Sequence, residues 1–272
     1  MTTPYRAFCN IFKQLAPLGL SLAVVAVSLT GCQNNPGNGE SAQLRKAKQL
    51  IEQGNFEEAF VELNQALDQA PRDPNLHINL GWLYLYTNDL DNATKELTQA
   101  ETLGPNLAET YHLRGAILSY QAQHTSEPRQ SRQLQEEAVQ NFKQALQRDE
   151  KNHQTYFDLA TSLSVLNRQE EALAALDKGF QYIPDKDLET QVNFQIATCA
   201  AEAQLQQYDE AIKDCHQALE FTTNPASRER ITDMIENMKL MNPGLSQKID
   251  AQQAEKDRQA EENAIIDTAA SD

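Results

Sequence analysis

The sequence predicts an all-helical chain in which pairs of antiparallel helices repeat and stack into a solenoid. Three observations predict it. The 272 residues are dominated by Ala, Leu, Gln and Glu with only ten Gly and ten Pro, a mixture that loses little freedom in a helix. Runs of Val or Ile bounded by turns, the mark of strands, are scarce. Three series of small and apolar residues then recur in fixed register. The first is Ala59, Ala93, Ala138, Ala172, Ala211; the second is Leu63, Leu97, Phe142, Leu176, Cys215; the third is Ala66, Ala100, Ala145, Gly179, Ala218. All three advance by 34, 45, 34 and 39 residues. A period of this kind marks a repeat architecture, in which no unit buries its apolar face alone.

The amino terminus precedes the repeats. Arg6 and Lys13 are the only charges before Cys32, and an apolar stretch of 16 residues runs from Leu15 to Thr30. A span of about 20 is needed to cross a bilayer, so residues 1–31 read as a secretory signal peptide. Its end, Leu29-Thr30-Gly31-Cys32, resembles the lipobox of bacterial lipoproteins. That resemblance implies lipidation of Cys32, cleavage just before it, and a chain anchored in the bacterial cell envelope. The polar residues 32–39 read as a flexible tether. Gln33 after the cysteine implies, by the enterobacterial pattern, the outer membrane facing the periplasm. The outer face of the cytoplasmic membrane is the alternative.

The repeats begin at about residue 40. Four alanines of the first series, Ala59, Ala93, Ala172 and Ala211, follow a short polar turn: Gly54-Asn55, Asn88-Asp89, Asn167-Arg168 and Gln206-Gln207. Pro71, Pro105 and Pro184 stop the second helix of a pair, because proline lacks the amide a helix interior needs. In the second unit Leu80-Gly81, Tyr84, Ala93, Leu97, Ala100 and Pro105 match the pattern of the tetratricopeptide repeat, and the chain resembles that family over residues 40–224. The resemblance implies a superhelix of helix pairs, with units at about 40–73, 74–107, 108–152, 153–186 and 187–224. The third unit carries 11 extra residues around Ser119–Leu134, with Pro128 inside them. They are expected to protrude as a longer hairpin or a loop. The fifth unit carries five extra between Pro184 and Ala211, with Thr198-Cys199 where the family has Leu-Gly. Its second helix is therefore the better defined. Residues 225–241 set Ile231, Met234, Ile235, Met238 and Met241 on one face, as a capping helix requires. The acidic residues 242–272 have no sustained apolar face and are expected to be a disordered or weakly helical tail.

Composition and motifs bound the function. A net charge of −16 repels nucleic acid and anionic lipid and suits a basic partner, or serves only to keep the surface solvated. Phosphate-binding loops, nucleophile elbows, zinc-protease and dinucleotide fingerprints are absent. No metal, cofactor or enzymatic activity is expected. The five histidines, His77, His112, His124, His153 and His216, have no ligand partners at metal spacing. His77 and the pair Cys199 and Cys215 fall on inward positions, where packing is the favoured role. A disulfide is the alternative for the cysteines in an oxidising periplasm.

Family resemblance also supplies candidate contact residues. The second, fifth, ninth and twelfth residues of each first helix line a concave surface in tetratricopeptide repeats. Here these include Asn75, Ile78, Trp82 and Leu85, then Glu109, His112, Ala116 and Ser119, then Gln154, Phe157, Thr161 and Ser164. With Tyr86 and Tyr120 beside them, the candidate groove is Ile78, Trp82, Tyr86, His112, Tyr120 and Phe157. The helix Leu76–Tyr86 is apolar all round, so Trp82 either packs on the next unit or presents a contact surface. Leu44, Glu109 and Leu113 stand at clamp positions where carboxylate-tail binders carry other residues. Only Lys48 and Asn79 fit, which excludes that mode. The function this implies is a membrane-anchored adaptor for a protein or extended peptide, in pilus or outer-membrane assembly. The alternatives are a passive structural envelope lipoprotein and an enzyme with an unrecognised site.

Overall fold

The structure, a computed structural model, describes residues 41–242 together with Gly244 and Arg258. The expected signal peptide, Cys32, the expected tether and all of the tail but Asn242, Gly244 and Arg258 lie outside the described residues. Among those described there are eleven helices and no strand. They fall into two compact units that divide between Pro184 and Asp185.

In the first unit, α1 (Ala42–Glu52) pairs with α2 (Phe56–Gln69), and α3 (Pro74–Tyr86) with α4 (Leu90–Leu103). Then α5 (Ala108–His124) pairs with α6 (Pro128–Arg148), and α7 (His153–Val165) with α8 (Gln169–Phe180). The second helix of each pair packs on the first of the next, and α1, α3, α5 and α7 also touch in succession. Those four first helices therefore share one face.

Local chemistry fixes the ends of the helices. Side chains of Ser41, Asp73, Asp89 and Asn152 accept amide hydrogen bonds at the starts of α1, α3, α4 and α7, satisfying donors a helix leaves open. Pro74 and Pro128 occupy first positions of α3 and α6, where a missing amide costs nothing. Glu57 and Glu58, and likewise Glu170 and Glu171, sit in the first turns of α2 and α8, as the positive end of a helix dipole favours.

The turn recognised in the sequence is built the same way each time. Gly54, Asn88 and Asn167 adopt left-handed φ values of 74°, 61° and 59°. The next amide reaches back five residues, from Asn55 to Leu50 at 2.8 Å, from Asp89 to Tyr84 at 2.8 Å and from Arg168 to Leu163 at 2.9 Å. This closure satisfies carbonyls at the helix end. Gly and Asn recur there because they tolerate the left-handed region best.

The interior of each pair rests on the three series. Ala59, Leu63, Ala66, Ala93, Ala100, Ala138, Phe142, Ala145, Ala172 and Leu176 are all buried. At a fourth position, 16 residues before Leu97, Gly81 stands where a methyl would lie 2.6 Å from Leu113. In the next unit a methyl on Gly115 would lie 2.6 Å from the ring of Phe142. The helices cross so closely there that a side chain has no room.

The 11 extra residues of the third unit form a longer hairpin. α5 has 17 residues and α6 has 21, against 13 and 14 in α3 and α4. Pro128 does not interrupt a helix; it starts one. Ser131 Oγ donates to the Ala122 carbonyl at 2.7 Å and Gln135 Nε2 to Ser119 Oγ at 3.2 Å, so the extension is joined by polar contacts.

The second unit holds α9 (Leu188–Gln204), α10 (Tyr208–Phe221) and α11 (Pro225–Met241). Most of its five extra residues lengthen α9 to 17 residues, against 13 in α3 and α7. Gln206 takes the left-handed turn at φ 62°. Cys199 and Cys215 form a disulfide between α9 and α10, with Cα atoms 5.6 Å apart. Packing alone, the favoured reading of these two residues, is thereby corrected. The register explains the bond. Cys199 takes the position of Gly115 and Cys215 that of Phe142, the pair already brought into closest contact. Ile231, Ile235 and Met238 of α11 are buried in the same core. Met241, expected on that face, is 74% exposed at the end of the helix, where α10 no longer covers it.

Candidate functional site

The face shared by the first helices carries the candidate residues. α3 explains why they cluster. Its sequence PNLHINLGWLYLY has almost no amphipathic bias, and Leu76, His77, Ile78, Asn79, Leu80, Gly81, Leu83 and Leu85 are all buried. Ordinary pairing buries one stripe of a helix. Here α2, α4 and α5 cover most of the circumference.

The six sequence-derived groove residues divide by exposure. Ile78, His112 and Phe157 are 3%, 7% and 9% exposed, too little to offer a partner much area. Trp82, Tyr86 and Tyr120 are partly exposed. Trp82 packs against the core of Leu85, Leu97 and Leu113 and is partly exposed.

These rings are joined across three helices. Trp82 stacks on Tyr86 with centroids 6.0 Å apart and meets His112 of α5 edge-on at 4.9 Å. Tyr86 stacks in turn on Phe56 at 6.1 Å. The His112 Nε2 lies 2.7 Å from Asp158 Oδ2 of α7, and Gln154 Nε2 donates to the other oxygen at 3.3 Å. Aromatic edge and face contacts of this kind contribute about 0.5–1.5 kcal/mol each beyond burial. Tyr120 donates to Asn88 Oδ1 at 2.7 Å, stacks on His124 at 4.0 Å and packs on the same core as Trp82.

One polar group in the cluster is unsatisfied. The Tyr86 hydroxyl is buried and has no hydrogen-bond partner among the described residues. Burial and, after it, the Asp158 carboxylate push its phenol well above the ordinary tyrosine range. An orphaned hydroxyl costs about 1–3 kcal/mol in a folded protein.

Asp158 was not among the residues the sequence singled out. It follows the groove position at Phe157 by one residue, and the repeat register alone gives it no inward role. The available signal was its isolation, as the sole ionisable acid or base other than a histidine in His153–Val165. His77 was assigned to packing, and it is buried; its Nδ1 also lies 2.7 Å from Glu96 of α4. Asn79 donates to the Asn75 carbonyl within its own helix at 2.7 Å. No group of three or more His, Cys, Asp or Glu is arranged to hold a metal among the described residues.

A stack of antiparallel helix pairs with close small-residue crossings and a shared inner face is the architecture of helical repeat proteins. Within that class the comparisons are specific. The tetratricopeptide repeat family matches residues 50–117. A thermophilic tetratricopeptide-repeat protein of Thermus thermophilus superposes with a TM-score of 0.62 at 18% identity, covering 71% of this chain and 97% of its own. The Pseudomonas aeruginosa protein PilF superposes with a TM-score of 0.55 at 17% identity, covering 78% and 96%. At these identities the likeness is one of fold. No curated protein matches in sequence. Residues 50–117 thus match the tetratricopeptide repeat, and the described helices share the fold of proteins built from it.

Proposed function

We propose that this protein is a membrane-anchored adaptor of the bacterial envelope that holds a protein or extended peptide on the face formed by α3, α5 and α7. The observation that carries the reading is the Trp82 cluster. A partly exposed tryptophan, packed on tyrosine and histidine within a preformed face, has the character of a binding anchor. Anchoring rests on the lipobox at Cys32, and export on the apolar segment before it. The Cys199–Cys215 disulfide supports export, because such bonds persist in oxidising compartments and are rare in the cytosol. No described helix is long and apolar enough to cross a membrane. The tasks such an anchored adaptor serves include assembly of pili or of the outer membrane.

The test is retrieval of a partner from detergent-solubilised membranes with wild-type protein and with Trp82→Ala. A defined partner retained by the first and lost by the second is expected, with binding weakened by at least about 2 kcal/mol. Melting curves should show that both proteins are folded. An identical set of retained proteins, or none from either, overturns the assignment.

A further inference from the structure

The ionisable groups on the three inner helices are one-sided. α3 contains no Asp, Glu, Lys or Arg; α7 contains only Asp158; α5 contains Glu109 and Arg114. Arg114 is engaged elsewhere. Its Nε donates to Glu101 of α4 at 2.8 Å and its guanidinium lies 5.4 Å over the Tyr111 ring. The face made by α3, α5 and α7 therefore carries carboxylates without a Lys or Arg of its own to balance them. The arrangement stops at α1, where Lys48 takes the register position of Trp82.

Asp158 is the centre of this face. Its side chain is 19% exposed, and its charge is held in place by His112 and Gln154. Beside it stand the stacked rings of Trp82 and Tyr86 and the Tyr86 hydroxyl, which lacks a partner. A carboxylate, two aromatic faces and an unused oxygen are the complement of one chemical group, a cation on a flexible stem. Aromatic faces attract ammonium and guanidinium ions, the carboxylate supplies a charge-assisted acceptor, and the hydroxyl supplies another. The acidic chain as a whole, at −16, draws such a ligand in.

We infer that the Trp82–Tyr86–His112–Asp158 cluster is a subsite for one Lys or Arg side chain of the bound segment, with its charge at Asp158 and its stem against the two rings. This rests on the reading that the partner lies on this face. It deepens that reading by giving the occupant a chemistry: a polypeptide segment with a basic residue flanked by residues able to lie on an apolar surface.

The probe is a set of three hexapeptides, of arginine, of glutamate and of alternating serine and leucine, titrated into the folded protein. The emission of Trp82, the only tryptophan, is followed. The arginine peptide is expected to change that emission and the glutamate peptide to leave it unchanged. Asp158→Asn removes the charge at nearly the same volume, keeps one acceptor oxygen for His112 or Gln154, and should weaken arginine-peptide binding at least tenfold. Asp158→Glu, which returns the charge, should recover most of it. Glu57→Gln removes the same charge from the exposed start of α2 and should change affinity less than twofold. Circular dichroism of each variant establishes that it is folded. Equal losses in Asp158→Asn and Glu57→Gln would reduce the effect to the overall charge and overturn the subsite. So would undiminished binding of the arginine peptide by folded Asp158→Asn. If the serine–leucine peptide changes Trp82 emission and binds Asp158→Asn as well as wild type, the face still holds peptides and only the cation subsite falls. No response of Trp82 to any of the three peptides removes both readings.

Discussion

Reducing the Cys199–Cys215 bond should unfold the second unit selectively. The bond joins residues 16 apart. The chain-entropy relation for a closed loop of that length gives about 3 kcal/mol at 25 °C. The unit it serves is small, with three helices of 17, 14 and 17 residues. A core of that size is marginal, and domains as a rule hold only about 5–15 kcal/mol in total. Both cysteines are also fully buried in the core that holds Ile196, Ile212 and Ile231, so the bond sits at the centre of the unit's packing. The perturbation is dithiothreitol, or the double substitution Cys199→Ala with Cys215→Ala. The assay combines far-ultraviolet circular dichroism with Trp82 fluorescence during a urea titration. Helical signal from α9–α11 should be lost at lower urea than in the oxidised protein, while Trp82, in the first unit, reports an unchanged transition. The same midpoint for oxidised and reduced protein by circular dichroism would refute the argument, as would free thiols in protein exported to an oxidising compartment.

Gly115→Ala should destabilise the first unit by about 1–3 kcal/mol, the usual cost of overpacking, since the new methyl meets the Phe142 ring at 2.6 Å and that ring is only 1% exposed. An unchanged urea midpoint would show that Phe142 moves aside freely. Gln206→Gly should stabilise the second unit by roughly 1 kcal/mol, because Gln206 holds a left-handed φ of 62° that costs a residue with a Cβ; a lower melting temperature would contradict this. Cys32→Ser should abolish incorporation of labelled palmitate, and labelling that persists in the variant would refute the lipobox. Cutting the α5–α6 hairpin back to the length of its neighbours should preserve the helical signal of the rest, because hydrogen bonds of Ser131 and Gln135 join its outer turns to each other. Global unfolding would show the extension to be part of the folding unit.

The sequence by itself determined the helical class, the register of the units and the position of nearly every turn. It could do so because those features repeat, and each repetition of Ala59, Leu63 and Ala66 in new surroundings is an independent statement of the same packing. Turn residues Gly54, Asn88 and Asn167 were legible for the same reason: a left-handed φ admits few residue types. Tertiary structure alone decided what is not periodic. The bond between Cys199 and Cys215 depends on how closely α9 and α10 cross, and that closeness could be read only after Gly115 and Phe142 had been seen in contact. Met241 lies on the apolar stripe of α11 but beyond the end of what covers it, a matter of helix length and not of pattern. The site is the clearest case. The resemblance pointed to Trp82, His112 and Phe157 through their positions on separate helices, yet which of them stays accessible depended on how much α5 and α7 cover. Asp158 entered the site because its helix turns it toward His112, 46 residues away in the chain. A pairing between helices of different units leaves no spacing in the sequence, since its geometry is set by the stacking of whole repeats and not by any one of them.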